Sequence, residues 1–335
     1  MKISASVYTH GPRSLTELVK ELDECGIDCL HLDCNNDPAV FEDIALIRQI
    51  SKLPLDLHII SPSPAKYFEA IRKFQVEMVT FQHEAIEGKF AIPADLPSEI
   101  GIAISAESEL SVFDSYSARA KFILFTGSTP GLSGGRFNNQ TFRRIREFSR
   151  RYPGKKIHVD GGVNDEVSFI LRNIGVRTVV SGSYLVNSNS IARSLLQMQR
   201  PEVGSHYFVR DFMLLPDELP VINENQLSLP RVLHAIEDLG MGFAIVVNEN
   251  QKLMGLVTNA DIRRALLKHI DDLNAVTVGS LVNRNPKVVN EGLTVSEMLD
   301  LIKEINFPVL YMPVVNDSNQ LTGAIKFNNL VKGES

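Results

Sequence analysis

The chain has no tryptophan, only three cysteines and no long apolar run among its 335 residues. Cys25, Cys29 and Cys34 lie close together, but their spacings match no common zinc pattern. The odd number excludes a fully paired disulfide scaffold, and the segment MKISASVYTHGPRS lacks the apolar core and cleavage site of a signal peptide. We therefore expect reduced thiols and a cytoplasmic protein.

An excess of basic charge is also lacking, because 34 Lys and Arg residues are outnumbered by 40 Asp and Glu residues, for a net charge of -6. This balance argues against nucleic acid or a membrane surface as the main partner. No apolar stretch reaches the length of a transmembrane helix. The content of 44% hydrophobic and 22% charged residues is ordinary for a globular chain, and the length favours two domains.

Residues 1–200 alternate between short apolar runs and helical patterns. Eight runs read as strands, in the order KISASVY, DCLHLD, LDLHII, EMVTFQ, IGIAIS, KFILFT, KIHVD and TVVSG. Continuous apolar residues are typical of buried parallel strands. Eight such α/β units most simply close into a (β/α)8 TIM barrel, whose active site would lie at the carboxyl ends of the strands. A doubly wound open sheet is the alternative.

Four polar residues fall at the predicted ends of strands two, three and seven: His31, Asp33, His58 and Asp160. His31 and Asp33 lie two positions apart on one strand, so their side chains point to the same face. Only closure of a barrel brings these three strand ends around one centre. Two imidazoles and two carboxylates suit one divalent ion, such as Zn, Fe(II), Mn or Co. The alternative is that each residue is simply a hydrogen-bonded polar group.

Residues 1–200 resemble the ribulose-phosphate 3-epimerase family through six pieces in order, SASV, HLD, LDLHI, PGLSGGRF, VDGGV and SGSYL. The resemblance implies one catalytic metal ion held by His31, Asp33, His58 and Asp160. It also implies that Asp33 and Asp160 act as the paired acid and base, and that Ser4 and His58 lie beside the substrate. The implied substrate is a ketose phosphate of the ribulose 5-phosphate and xylulose 5-phosphate kind.

The chemistry of epimerisation fits this set of residues. Inversion next to a ketone removes a carbon-bound proton and returns it on the other face, so one base is needed on each side of a planar ene-diolate. A metal ion supplies the positive charge that this intermediate requires. Metal coordination also perturbs the pKa values of the two aspartates, so that one can start ionised and the other protonated.

Glycine-rich loops follow the last three predicted strands, as GSTPGLSGG, DGG and SGS. Barrel phosphate sites are commonly built by the loops after strands seven and eight, where glycine lets backbone N–H groups approach the phosphate. We expect the phosphate at Gly134, Gly161, Gly162, Gly182 and Ser183. The alternative is that these glycines only turn the chain.

The sequence departs from the family pattern after HLD, where Cys34, Asn35, Asn36 and Asp37 replace an apolar residue followed by Met-Asp-Gly. The substrate could therefore be another ketose phosphate, or the barrel could be a sugar-phosphate-binding regulatory protein without turnover. A Schiff-base lyase is a further alternative, but none of the eight predicted strand ends carries the lysine that it needs.

The C-terminal region contains a weak repeat of helix, hairpin and helix, and it resembles a tandem pair of CBS domains, which sense adenosyl ligands. GLVTNADIRRAL carries their GxxTxxD pattern, which implies ribose contacts by Thr258 and Asp261; the second copy has Lys326 and Asn329 at these places. Alternatively, T-x-x-D only caps a helix. We expect a barrel at 1–200, a linker at 201–212 and a CBS pair at 213–335 (213–272 and 273–335). Such pairs commonly dimerise, which implies a homo-oligomer.

Overall fold

Eight parallel strands close into a barrel in the N-terminal unit, Met1–Val203, of the computed structural model. The structure describes residues 1–9, 13–127, 135–200, 206–305 and 309–327. The barrel strands are β1 (Lys2–Ser6), β2 (Cys29–Asn35), β3 (Leu55–Ile60), β4 (Met78–Gln82), β5 (Glu99–Ile104), β6 (Phe122–Thr126), β7 (Lys156–Asp160) and β8 (Thr178–Ser181). The predicted TIM barrel is confirmed, because β8 pairs with β1 and leaves no open edge.

Helices and short 3-10 turns connect these strands. The helices of this unit are α1 (Leu15–Glu24), α2 (Val40–Ile50), α3 (Phe68–Phe74), α4 (Gln140–Arg151), α5 (Asp165–Asn173), α6 (Ser183–Val186) and α7 (Ile191–Gln199). Helix α1 begins with the expected capping box, in which Ser14 and Glu17 satisfy each other's backbone N–H groups. Short 3-10 helices, His83–Ala85 and Leu110–Tyr116, follow β4 and β5 in place of α-helices.

The register of the strands places polar side chains at the carboxyl end of the barrel. Asp33 pairs with His58 between β2 and β3, and Thr126 pairs with Asp160 between β6 and β7. The opposite end is filled by apolar packing, in which the Phe122 ring occupies the space where Gly101 lacks a side chain. The barrel thus has a closed lower half and a polar mouth.

The C-terminal unit, Gly204–Ser335, contains two three-stranded sheets of the same design. One is β9 (Val221–Asn223), β10 (Phe243–Val247) and β11 (Leu253–Thr258), and the other is β12 (Val289–Asn290), β13 (Tyr311–Val315) and β14 (Leu321–Lys326). The helices are α8 (Val209–Phe212), α9 (Leu229–Leu239), α10 (Asn259–Lys268), α11 (Val278–Leu281) and α12 (Val295–Lys303). In each sheet an antiparallel hairpin is extended by one parallel strand, so the expected internal repeat is present.

The two repeats share a core, as expected for units too small to fold alone. Phe243 and Leu256 of the first sheet pack in one buried cluster with Leu321 and Ala324 of the second. The Phe243 and Tyr311 rings lie 4.2 Å apart between their centroids. The hairpin turns also exchange backbone hydrogen bonds, because Leu253 N–H donates to Asn319 and Leu321 N–H donates to Gln251.

The segment before residue 213 differs from the linker expected over 201–212. Residues 201–205 lie outside the described part of the chain, but Phe208 forms a bridge to Thr294, and the Val209 N–H donates to the Leu293 carbonyl. Val209 is fully buried. The second unit therefore begins before residue 213. Within the described ranges, no helix is both long and apolar enough to cross a membrane.

Candidate active site

The ends of β2, β3 and β7 bring His31, Asp33, His58 and Asp160 together in the barrel mouth. One ligand atom from each residue can be chosen so that all four lie within 4.8 Å of one another. Asp33 Oδ1 lies 3.3 Å from His31 Nε2 and 3.2 Å from His58 Nδ1, and Asp160 Oδ2 lies 4.0 Å from His31 Nε2. The two imidazoles are almost completely buried, while both carboxylates are partly open to the mouth.

The outer nitrogen of each imidazole is held by a buried acceptor. Asp56 Oδ2 lies 2.9 Å from His31 Nδ1, and Gln82 Oε1 lies 2.8 Å from His58 Nε2. A carboxylate and an amide oxygen only accept hydrogen bonds, so these ring nitrogens carry the hydrogens. In the neutral rings the other nitrogens, His31 Nε2 and His58 Nδ1, then carry lone pairs, and they lie 3.3 and 3.2 Å from Asp33 Oδ1.

When both rings are neutral, three buried acceptor atoms therefore converge without a donor. His31 Nε2, Asp33 Oδ1 and His58 Nδ1 have no hydrogen-bond partner among the described residues. Buried polar atoms are normally satisfied, and three lone pairs that face one another repel. A cation between them removes both problems, and metal-bound histidines typically donate their other N–H to a carboxylate or carbonyl, as here. The donor set thus fits a divalent ion.

The pKa shifts of the histidine and aspartate side chains at the site also favour a bound positive charge. Burial disfavours a charged imidazole, but the carboxylates of Asp56 and Asp33 outweigh it and raise the pKa of His31 well above its usual value. Burial likewise opposes ionisation of Asp33, yet His31 and His58 lower its pKa far below normal. The pKa of Asp160 is raised by burial and by the charge of Asp33, although His31 opposes the shift. The two aspartates thus favour opposite protonation states.

Ser4 lies deeper than expected for a residue beside the substrate. Its side chain is fully buried, its hydroxyl donates to Asp56 Oδ2 at 3.1 Å, and its register partner on β2 is Cys29. Ser6 lies two residues nearer the mouth, in register with His31. A substrate contact by Ser4 stays a prediction, and this geometry favours a role in holding Asp56.

Two of the expected phosphate loops follow β7 and β8, which are neighbouring strands of the barrel. Gly161 and Gly162 have φ values of 100° and 69°, which glycine adopts without strain. A Cβ on Gly162 would lie 2.4 Å from the Phe137 backbone nitrogen, so the residue is needed for close approach of the two loops. Gly182 and Ser183 begin α6. Gly134 lies outside the described residues, and phosphate binding by the whole set stays a prediction.

The departure from the family pattern after β2 forms an ordered connection to the loop after β3. Asn36 adopts a left-handed φ of 60°. Its Oδ1 accepts hydrogen bonds of 2.7 Å from both Ser61 Oγ and Lys66 Nζ. Asn35, at the end of β2, is level with Ile60 and shares its face of the strand with Asp33. An amide therefore lies on the strand face that carries Asp33, two residues nearer the end of β2.

In the C-terminal unit, Thr258 and Asp261 form a complete capping box at the start of α10. Asp261 Oδ2 accepts from the Thr258 N–H at 2.9 Å and from the Thr258 hydroxyl at 2.7 Å, while Asp261 Oδ1 is paired with the exposed Arg264. The capping role is thus present, and the ribose contact stays a prediction. Tyr311 packs beside this site, and Lys326 is its register partner. Asn329 lies outside the described residues.

Three residues of the site were not predicted from the sequence: Asp56, Gln82 and Glu84. Asp56 could have been predicted, because a carboxylate two residues before His58 on an apolar strand lies on the same strand face as His58. Gln82 is the last residue of β4 and Glu84 lies within the 3-10 turn that follows it, where sequence alone gives no direction for their side chains.

Comparison with known proteins identifies both parts of the chain. The model of the ribulose-phosphate 3-epimerase family matches residues 2–186, and the CBS domain model matches residues 209–268 and 278–333. The ribulose-phosphate 3-epimerase of Bacillus subtilis is 22% identical over 59% of this chain and 98% of its own length, and that of Helicobacter pylori strain 26695 is 25% identical over 56% and 92%.

Among solved structures, the CBS-pair protein CBSX2 from Arabidopsis thaliana is 25% identical over 38% of this chain and 94% of its own, with a TM-score of 0.32. A structure of CBSX2 in complex with AMP is 26% identical over the same shares, also with a TM-score of 0.32. The two resemblances inferred from the sequence are confirmed by the family models.

Proposed function

Because the chain belongs to the ribulose-phosphate 3-epimerase family, we propose that its barrel is a metal-dependent 3-epimerase of a ketose phosphate. The observation that carries the proposal is the set of three buried, unsatisfied acceptors, His31 Nε2, Asp33 Oδ1 and His58 Nδ1. Asp160 completes the donor set from the far side of the mouth. The residues that would hold the ion are therefore His31, Asp33, His58 and Asp160.

An ion held there would supply the positive charge that an ene-diolate intermediate requires. Asp33 and Asp160 form the acid–base pair of the proposed reaction. Their strands, β2 and β7, are separated around the barrel by β1 and β8, so the two carboxyls reach the substrate from different sides. In the protein without metal the pKa of Asp33 is lowered and that of Asp160 is raised. We assign Asp33 to accept the proton from carbon 3 and Asp160 to return one.

The substrate's phosphate would lie on the loops after β7 and β8. Gly161 and Gly162 let the backbone approach an anion there, and Gly182 and Ser183 lead into α6 from the neighbouring strand. Arg136 is exposed on the loop that packs against Gly162 and would add a positive charge.

Ribulose 5-phosphate and xylulose 5-phosphate are the first pair of epimers to consider, because the relatives bear that activity in their names. Asn35 is the residue that could change this choice, since its amide can hydrogen-bond a sugar hydroxyl where the family pattern has methionine. A sugar-phosphate-binding regulatory protein without turnover is the alternative. The complete ligand set and the two oppositely perturbed aspartates favour catalysis.

The CBS pair is proposed to bind an adenine nucleotide at Thr258 and Asp261 and to regulate the barrel. The ribose would compete only for Asp261 Oδ1, because Oδ2 is occupied by the helix cap. The group that it displaces, the Arg264 guanidinium, is largely exposed and would then be free to contact a phosphate. Regulation requires that the nucleotide favour one conformation of the protein over another.

The test is conversion of ribulose 5-phosphate to its C3 epimer, measured before chelation, after chelation and after reloading with Zn, Fe(II), Mn or Co. We expect activity to be lost on chelation and restored by at least one ion. His58→Ala should lose both the ion and the activity, whereas His83→Ala, at the end of the neighbouring strand and bonded to Tyr116 instead, should keep both. If no reloaded form converts the substrate, the binding-protein alternative is favoured.

A further inference from the structure

We propose that Gln82 and Glu84 form a positioning pair that fixes the ring tautomer of His58, so that Nδ1 always presents its lone pair to the site. The inference rests on the proposed function in that it treats His58 as a metal ligand. It goes further by assigning a task to two residues that touch neither the ion nor the substrate. Both lie where β4 ends, next to β3, which carries His58.

The first step is the contact between Gln82 and the imidazole. Gln82 is 1% exposed, His58 is fully buried, and Gln82 Oε1 lies 2.8 Å from His58 Nε2. Water cannot replace either partner in this position. The direction of this hydrogen bond therefore depends on which end of the Gln82 amide faces the ring, since the oxygen would accept and the NH2 group would donate.

The second step is the fixing of that amide by Glu84. Gln82 Nε2 donates to Glu84 Oε2, and Glu84 Oε1 accepts from the Ser105 N–H at 2.8 Å and from the Ser108 hydroxyl. Burial opposes ionisation of Glu84, but these hydrogen bonds outweigh it and lower its pKa. An ionised carboxylate cannot donate, so a flipped amide would lose its hydrogen bond to Glu84 and place two buried acceptors against each other.

The third step is the support of Glu84 itself. Arg144 of α4 donates to the carbonyls of Ala106 and Ser108, so the loop that supplies the donors to Glu84 is held from the outer helix layer. A continuous series of hydrogen bonds thus runs from Arg144 through Ser108, Glu84 and Gln82 to His58. The donors converge on the Glu84 carboxylate from both ends of the series, and because His58 contributes its Nε2 hydrogen to it, Nδ1 is left without a hydrogen in the neutral ring.

The experiment combines a tautomer measurement with an affinity measurement. Histidine-specific 15N labelling and long-range proton–nitrogen NMR report which nitrogen of His58 carries the hydrogen, in the metal-free protein at a pH where the ring is neutral and in the Zn²⁺-loaded protein. Competition with a chelator gives the Zn²⁺ affinity. We expect the Nε2–H tautomer alone in the parent protein. We expect mixed tautomers and 10- to 100-fold weaker Zn²⁺ binding in Gln82→Leu and Glu84→Ala.

A double exchange provides the rescue. In Gln82→Glu/Glu84→Gln, the new carboxylate accepts from His58 and from the new amide, whose oxygen still accepts from Ser105 and Ser108. Tautomer and affinity should therefore return to parent values. The matched control is Glu77→Gln, just before β4 begins. The Glu77 carboxylate accepts from the Leu55 N–H, so this substitution should have no effect on the His58 tautomer.

The outcomes separate this inference from the proposed function. A folded Gln82→Leu or Glu84→Ala protein with a single Nε2–H tautomer and unchanged Zn²⁺ affinity would overturn the positioning role. So would a double exchange that fails to restore the tautomer while circular dichroism shows an intact barrel. If the parent protein binds no Zn²⁺, the proposed metal site fails, and the tautomer of metal-free His58 still decides whether the pair acts on the ring.

Discussion

Replacing Asp56 by asparagine should weaken binding of a divalent ion about tenfold without removing any proposed ligand. Asp56 is 2% exposed and accepts from His31 Nδ1 at 2.9 Å, so its charge makes the opposite nitrogen a better donor to a metal. A hydrogen bond to a charged acceptor contributes about 1.5–3 kcal/mol, against about 0.5–1.5 for a neutral one. The midpoints of the two ranges differ by about 1.3 kcal/mol. This is close to the value of about 1.4 kcal/mol that corresponds to a factor of ten in affinity.

Competition between the protein and a chelator for Zn²⁺ measures this change. Ser4→Ala is the matched control, because it removes the other hydrogen bond to Asp56, at 3.1 Å, and leaves the carboxylate in place. We expect its affinity to stay within about threefold of the parent, which is less than about 1 kcal/mol. Parent-like affinity in a folded Asp56→Asn protein would refute the argument, since His31 would then not depend on its buried partner.

Three further predictions concern the aspartates, the CBS pair and the pH dependence. Asp160→Asn, if it still holds metal, should abolish net epimerisation yet leave solvent exchange of one epimer through Asp33; full turnover would exclude the two-base mechanism. Asp261→Asn can keep the helix cap. In calorimetry it should bind AMP, ADP or ATP about tenfold more weakly than the parent protein. Equal binding by the two proteins would mean that Asp261 does not contact the ribose. Although burial opposes it, the nearby carboxylates raise the pKa of His31 well above 6.5. The free energy of urea unfolding of the metal-free protein should therefore be highest below pH 6.5 and should fall as the pH rises through the raised pKa. His31→Gln should lack this loss of stability.

The barrel and its four central residues were predictable because they follow from the alternation of side chains along a strand and from the closure of eight strands. Side chains two apart on a strand share a face, which places His31 with Asp33, and closure of eight parallel strands places β2, β3 and β7 around one mouth. The capping box of Ser14 and Glu17 was predictable for a similar reason, since it depends only on local spacing.

The remaining details depend on register and on side-chain direction, which no local pattern encodes. Ser4 and Ser6 lie on the same face, and only the pairing with β2 shows that Ser4 is level with Cys29 while Ser6 is level with His31. The Gln82 and Glu84 pair depends on a loop after β5 that is distant in sequence. The start of the second unit before residue 213 likewise required the bridge from Phe208 to Thr294.

NMR in heavy water tests the central claim most directly. The metal-loaded protein is incubated with ribulose 5-phosphate and then with a panel of other ketose phosphates, and deuterium at carbon 3 is followed together with formation of the C3 epimer. We predict that at least one ketose phosphate gains deuterium at carbon 3 and yields its epimer, and that both signals disappear in Asp33→Asn. Absence of exchange and of epimer with every sugar, in protein shown to hold one metal ion per chain, would contradict the proposal that this barrel is an epimerase.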